Sequence, residues 1–368
     1  MLPESILKSA ILLKPDNFTD LKKTPWAGEK IGSTYKKTLV DNSSRLRIGE
    51  SWEFSCDPQQ PSYLKEHPVG IQELIDQSSP DALFGPNENL EYGNYSILVK
   101  ILDAGFPLSF QVHPADHDPY LQTHECGKPE SWLILAAEES SGIYLGFKNP
   151  IHKDQLREML LEKVDLSQHM QFIPVKENDY FEINPGVPHA IGSGVTLLEP
   201  QRLLNGKSGK TYRLWDWNRN YNSQGEFDPG GKPRELHIEE CLNIIQPEKQ
   251  YGLDFATKLK RQPRPLLENS NLKILEFPAN LYYQSSRINL NPETFLQWHT
   301  SLGYGIIIVT EGSLLMESQF GIETICEKGQ SALLPHLSNP FKFKSIDSCS
   351  FALFTPSYST NSWKTLSG

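Results

Sequence analysis

The chain has 368 residues, a formal net charge of −10, 38% hydrophobic and 22% charged residues, an ordinary balance for a globular protein large enough to bury more than one core. The acidic balance, without a run of one sign, argues against a nucleic acid or an anionic membrane as the main partner but leaves room for a local basic pocket. No stretch approaches the roughly 20 apolar residues of a bilayer span. The opening "MLPESILKSAILLKP" lacks a signal peptide's apolar centre, and five scattered cysteines (Cys56, Cys126, Cys241, Cys326, Cys349) predict reduced thiols in a cytoplasmic protein.

In chain order, "PVGIQELIDQSS" (68–79) carries a weak helical pattern. Strand-length apolar runs follow: "YSILVKIL" (95–102), "PLSFQVH" (107–113), "ESWLIL" (130–135) and "GIYLGF" (142–147), many of them set apart by Gly, Pro, Asn or Asp. "KDQLREMLLEKV" (153–164) places apolar residues at 156, 159, 160 and 164, a helical stripe. Two more strands, "DYFEI" (179–183) and "GVTLLEPQ" (194–201), precede a second helical candidate, "PRELHIEECLNII" (233–245). The polar, Pro-containing stretch 248–270 reads as a linker. A second strand cluster then runs through "LKILEFP" (272–278), "YYQSSRINL" (282–290), "GYGIIIVTEGSLLME" (303–317), "IETICEKGQSALLP" (322–335) and "CSFALFTP" (349–356). The pattern predicts a mainly β protein with few helices, built as two antiparallel sandwiches or barrels. The boundaries expected are 1–247 for the first unit and 271–368 for the second.

Three of the ten histidines, His113, His117 and His124, fall within 106–135. Residues two apart in a strand share a face, so Gln111 and His113 project together. Glu130 opens a later strand and His189 follows the turn in "NPGVPHAIG". Two histidines and a glutamate suit a catalytic zinc that keeps a position open, with Gln111 as a fourth oxygen. Against this, a lone histidine in a strand is commonly a satisfied side chain, and spacing alone leaves both readings open. His117 and His124 lie in a polar loop and read as solvated. Cys126, with no second cysteine near it, reads as a bystander.

Taken together, "PWAG" (25–28), "GESWEFS" (49–55), "LVKILDA" (98–104), "SFQVHP" (109–114), "GKPESW" (127–132), "PGVPHAIGSGVTLLEPQ" (185–201) and "TYRLWDWNR" (211–219) resemble the type I phosphomannose isomerases of the cupin superfamily. The resemblance implies a bicupin of two antiparallel jelly-roll barrels, the second non-catalytic. It implies one zinc per chain held by Gln111, His113, Glu130 and His189, and a small sugar phosphate as partner, in a monomer or small homo-oligomer. Lys128 and Arg213 would stand at the sugar-phosphate pocket as catalytic and binding groups. The chemistry implied is interconversion of mannose 6-phosphate and fructose 6-phosphate through an enediolate, whose charge a zinc ion and a nearby cation can stabilise. Lys128 and Arg213 also have ordinary readings, a turn lysine and an exposed strand arginine stacked on Trp215.

Lys100, inside an apolar run, points to the pocket as a substrate-binding group or sits on a solvated sheet face, because an unpaired buried ammonium is costly, and the pocket is the favoured reading. Glu199 is a candidate for the proton-transfer base or for a supporting carboxylate, whereas Trp26 and Trp52 read as packing residues. The chain also departs from the family pattern. Gly209 stands where many members carry an Asp four residues before the arginine, and Arg202, Lys207 and Lys210 flank that loop as phosphate ligands, lid or solvated charges. The second barrel lacks the paired histidines that a metal-binding cupin offers: His299 stands alone and His336 is a weak second. Two alternatives remain open: a sugar-binding cupin without turnover or an isomerase of another aldose phosphate. An oxygenase with a redox metal is a third.

Overall fold

The computed structural model, which describes residues 4–36, 47–86 and 95–366, stacks four antiparallel sheets in two pairs. The first pair joins a six-stranded sheet to a five-stranded one. The six strands run, in spatial order, Lys260–Arg261, Tyr180–Ile183, Glu130–Ala137, Val195–Leu204, Tyr95–Ala104 and Glu50–Phe54. The five run Tyr212–Trp215, Phe110–Val112, His189–Ile191, Gly142–Phe147 and Met170–Pro174. The second pair joins a seven-stranded sheet, from Ile11–Leu12 at one edge to Arg264–Glu268 at the other, to a second five-stranded sheet. The two-barrel, mainly β architecture expected from the sequence is present.

Alternation along each strand decides what each sheet face touches. Leu102, Trp132, Ile134, Phe181 and Leu197 point into the first barrel and pack on Leu145 and Ile191 of the facing sheet. Ile97, Val99, Ile101, Leu133 and Leu198, on the opposite face of the same strands, pack against Ile306, Ile308, Leu333 and Phe354 of the second barrel. The six-stranded sheet is therefore covered on both sides. That explains why Glu130–Ala137 and Val195–Leu204 read as nearly unbroken apolar runs rather than as alternating ones. Phe110, Val112 and Leu214 face outward under the helices Lys153–Leu161 and Ile238–Ile244, which cover the five-stranded sheet with Leu156, Leu160 and Leu242.

The helical stretch expected over 68–79 is present as Ile71–Gln77, and a second short helix, Pro80–Phe84, follows it. Pro80 opens the second at a position where its missing N–H costs nothing. Within 248–270 the chain forms the helix Gly252–Leu259, then the strand Lys260–Arg261 on the first barrel and Arg264–Glu268 on the second. The N-terminal strand Ile11–Leu12 pairs with Leu333 and Ala332 of the second barrel.

One buried ion pair ties these parts together. Lys36 Nζ lies 2.8 Å from Glu53 Oε1 and donates to the carbonyls of Pro15 and Gly329 at 2.8 and 2.9 Å. Lys36→Met strands the Glu53 carboxylate and is expected to cost about 3–5 kcal/mol, whereas Lys36→Met with Glu53→Leu recovers most of it. Denaturant unfolding of the two variants tests this: equal losses would refute it.

Candidate active site

The site forms where inward-facing polar side chains of the first barrel converge. His189 and Arg213 lie on either side of Gln111 in the register, and His113 follows two residues later on the same face. Across the barrel, Gln201 lies opposite Glu130, and Lys100 lies opposite both Glu199 and Trp52. Residues far apart in sequence thus meet because each sits at an inward position of its strand.

Ligand atoms of His113, Glu130 and His189 lie within 4.8 Å of one another, all buried, and this is the one such group among the described residues. His113 Nε2 is 3.1 Å from Glu130 Oε2, and His189 Nε2 is 3.5 Å from Glu130 Oε1. Each ring's Nδ1 meets a backbone carbonyl, that of Lys210 at 3.2 Å for His113 and that of Val187 at 2.8 Å for His189. A carbonyl only accepts, so Nδ1 carries the hydrogen in both rings and Nε2 keeps its lone pair. Both Nε2 atoms are buried without a hydrogen bond. Two inward lone pairs beside a carboxylate fit a divalent cation, and the carbonyls behind them fix the tautomer that ligation needs.

Burial, followed by the Lys128 ammonium, pushes the His113 ring down to about 3, and burial lowers His189 as well. Burial opposes the charge on Glu130, but His113 and Lys128 outweigh it and hold the carboxyl well below its usual range. Both histidines are therefore neutral at pH 7. Because His113 binds its proton more weakly folded than unfolded, it contributes stability that is complete above about pH 6.5 and is lost as pH falls toward 3. Metal-free protein should therefore unfold at progressively lower denaturant as pH drops from 6.5 to 4.5, with a shallower slope in His113→Gln. Identical slopes would show that His113 is not the group responsible.

Next to this group lies a cavity of about 470 Å³, with Gln111, Lys128, Glu199, Gln201 and Arg213 in its wall. Lys128 Nζ stands 3.4 Å from Glu130 Oε2. Lys100 lies 4.0 Å above the Trp52 ring, 3.9 Å from Glu50 and 3.8 Å from Glu199. Burial works against its charge, but Glu50 and Glu199 outweigh burial and raise its pKa. Arg213 donates from Nη1 to the Glu235 carbonyl at 2.8 Å, while its Nε is buried without a hydrogen bond. Burial, then the neighbouring Arg234, lowers Arg213 to about 10, so it remains a cation at pH 7. Of the other wall cations, Lys210 pairs with Glu125 at 2.8 Å and Arg234 with Asp216 through two hydrogen bonds at 2.7 and 2.8 Å, and Lys23 lies exposed at the edge.

Glu199 is joined to Glu130 through shared donors. Trp132 Nε1 lies 3.2 Å from both carboxylates, and Gln201 Nε2 lies 3.1 Å from Glu130 and 2.5 Å from Glu199. Burial and then the charge of Glu130 push Glu199 up to about 8. A carboxyl group with a pKa near neutrality can both take and give a proton.

Gln111, Lys100, Lys128, Glu199 and Arg213 thus share one cavity, and His113, Glu130 and His189 lie beside it. His117 and His124 are exposed on the surface. Arg202 does not reach the cavity: Asp116 holds its guanidinium through two bonds of 2.8 and 2.7 Å, and the same carboxylate accepts the Gly127 amide. Trp52, read as a packing residue, is instead a cavity wall beneath Lys100. Gly209 has a steric reason of its own, since a Cβ there would lie 2.8 Å from the Lys128 stem and 2.8 Å from Leu203. Glu50, Asp57, Trp132 and Gln201 escaped the sequence reading. Their immediate neighbours, such as Gly49 and Ser51 around Glu50 and Pro200 and Arg202 around Gln201, do not mark them, and the partners that Asp57 and Gln201 meet at Ser208 and Glu130 are distant in the chain.

Two stacked β-barrels, one holding a His–Glu–His group beside a charged cavity and the other filled by Trp298, Phe341 and Phe343, define a bicupin with one such group among the described residues. The chain is 30% identical over 314 residues to the mannose-6-phosphate isomerase ManA of Bacillus subtilis, covering 82% of this chain and 88% of that protein. It is 31% identical over 230 residues to the mannose-6-phosphate isomerase of Streptococcus mutans, covering 62% of this chain and 66% of that protein. Among solved structures, a mannose 6-phosphate isomerase from Bacillus subtilis superposes with a TM-score of 0.75 at 24% identity, covering 94% of this chain and 99% of that one. A mannose 6-phosphate isomerase bound with zinc and yttrium superposes with a TM-score of 0.67 at 15% identity, covering 95% and 99%. No protein-family model matches the chain. The chain belongs to the mannose-6-phosphate isomerase family and is an enzyme.

Proposed function

We propose that the chain interconverts mannose 6-phosphate and fructose 6-phosphate through an enediolate, with one zinc held by His113, Glu130, His189 and Gln111. The observation that carries this reading is the pair of buried, unbonded Nε2 atoms facing Glu130 beside a cation-lined cavity. When bound, zinc supplies Lewis-acid stabilisation of negative charge on the sugar oxygens.

The protein's own groups do the rest. Arg213, with an unused Nε–H and no carboxylate partner among its hydrogen bonds, binds the phosphate. Lys128 donates to a sugar oxygen and counters the charge that develops there. Glu199 moves the proton between C1 and C2, and Lys100 balances its charge when it is ionised. Trp52 and the edge 208–211, anchored by the 2.7 Å bond from Ser208 Oγ to Asp57, close the cavity against water. Residues 1–247 supply most of the catalytic barrel, completed by the strand Lys260–Arg261, and 271–368 most of the non-catalytic one, completed by Ile11–Leu12 and Arg264–Glu268. Five unpaired, buried cysteines support a reducing, cytoplasmic setting, and among the described residues no helix is long and apolar enough to cross a membrane.

The test is a coupled assay of the zinc-loaded protein on mannose 6-phosphate, run with metal analysis. Turnover with one zinc per chain is the expected result. A folded, zinc-bound protein that leaves mannose 6-phosphate untouched would sink this substrate and direct the assay to other aldose phosphates.

A further inference from the structure

The second barrel reaches the site from behind. Tyr283, on the strand Tyr283–Leu290 of the seven-stranded sheet, is fully buried between the barrels. Its hydroxyl lies 2.7 Å from the Pro200 carbonyl and 3.1 Å from Ser131 Oγ. The phenol has one hydrogen and a carbonyl only accepts, so Tyr283 donates to Pro200 and Ser131 donates to Tyr283. Burial keeps that phenol protonated, with its pKa raised well above the ordinary value.

The two contacts fall at particular places. Ser131 lies between Glu130 and Trp132, and Pro200 between Glu199 and Gln201. These four flanking residues form the shared-donor network of the site. The ladder between the two strands is also weakened here. Its register runs through Leu198 opposite Leu133 and resumes at Gln201 opposite Glu130, skipping Glu199 and Pro200. Proline has no N–H to give to the neighbouring strand. A hydroxyl from the other barrel ties the two strands together where the ladder has lost a rung.

We propose that Tyr283 is a positioning residue: its hydroxyl sets the separation of the Glu130 and Glu199 strands, and through it the second barrel tunes the chemistry of the first. The catalytic part of this inference rests on the isomerase reading above; the positioning part does not.

The experiment compares wild type, Tyr283→Phe and Tyr304→Phe. Tyr304 lies in the same interface, but its hydroxyl meets the Ile97 amide, away from the carboxylates. Amide hydrogen exchange reads the strands without reference to any activity. Faster exchange is expected across 130–137 and 195–204 in Tyr283→Phe and not in Tyr304→Phe. In the coupled assay kcat should fall roughly three- to thirty-fold with KM within about two-fold, since small misplacements of reacting groups act on the chemical step. Unchanged exchange in both strands would overturn the positioning role. Faster exchange with an unchanged kcat, in a protein whose wild type turns over, would overturn the catalytic consequence. A wild type that fails on every aldose phosphate would instead refute the isomerase reading and leave exchange to decide the positioning.

Discussion

His113→Ala is expected to release the metal and end turnover. The partners behind a metal ligand typically account for 10–100-fold in affinity, so loss of the ligand itself should weaken zinc binding by more than about 100-fold. The side chain removed is almost fully buried, 3.1 Å from Glu130 and backed by the Lys210 carbonyl, so no neighbour can swing in to replace it. His117→Ala and His124→Ala, both exposed, should bind zinc as wild type does. Chelator competition on the three variants reads the effect without an activity assay. Retention of wild-type affinity by His113→Ala would remove the metal centre from its assigned place.

Glu199→Gln is expected to lower kcat by about 10²–10⁴-fold, the range spanned by a positioned general acid or base, while leaving the fold intact. The stability side follows from sign. Burial and Glu130 raise the folded pKa of Glu199 to about 8, above its unfolded value, so ionising it at neutral pH works against the native state. A neutral amide of the same shape removes that cost, and the melting temperature should hold or rise. An inactive and less stable variant would point to a structural role for Glu199. An active one would move the proton transfer elsewhere.

Most strands were legible because hydrophobic alternation and strand length survive in the local sequence. Glu130–Ala137 and Val195–Leu204 were visible as apolar runs for a reason the sequence does not state, their burial between two barrels. Gln111 and His113 could be placed on one face because they are two apart in a strand, whereas their meeting with Glu130 and His189 needed the resemblance. Other contacts left no local trace. Gln201 reaches Glu130 across 71 positions and Tyr283 reaches Ser131 across 152, and nothing near a tyrosine in "LYYQSS" announces a proline carbonyl on another barrel. Arg202 shows the converse failure: a basic residue near the site looked available to an anion because its bidentate partner, Asp116, lies 86 positions away.

The sheet covered on both faces has a consequence for how the two halves can diverge. The second barrel serves the first through its outer wall, with Ile306, Ile308, Leu333, Phe354 and Tyr283 against the back of the catalytic strands. Its interior, solid with Trp298, Phe341 and Phe343, touches nothing that reacts. Substitutions inside that barrel need only preserve its volume, while those on its wall are read by the active centre. A gene fragment ending after the first barrel would expose a broad greasy face and lose Tyr283 as well, so the strands that carry Glu130 and Glu199 depend on both halves of the chain.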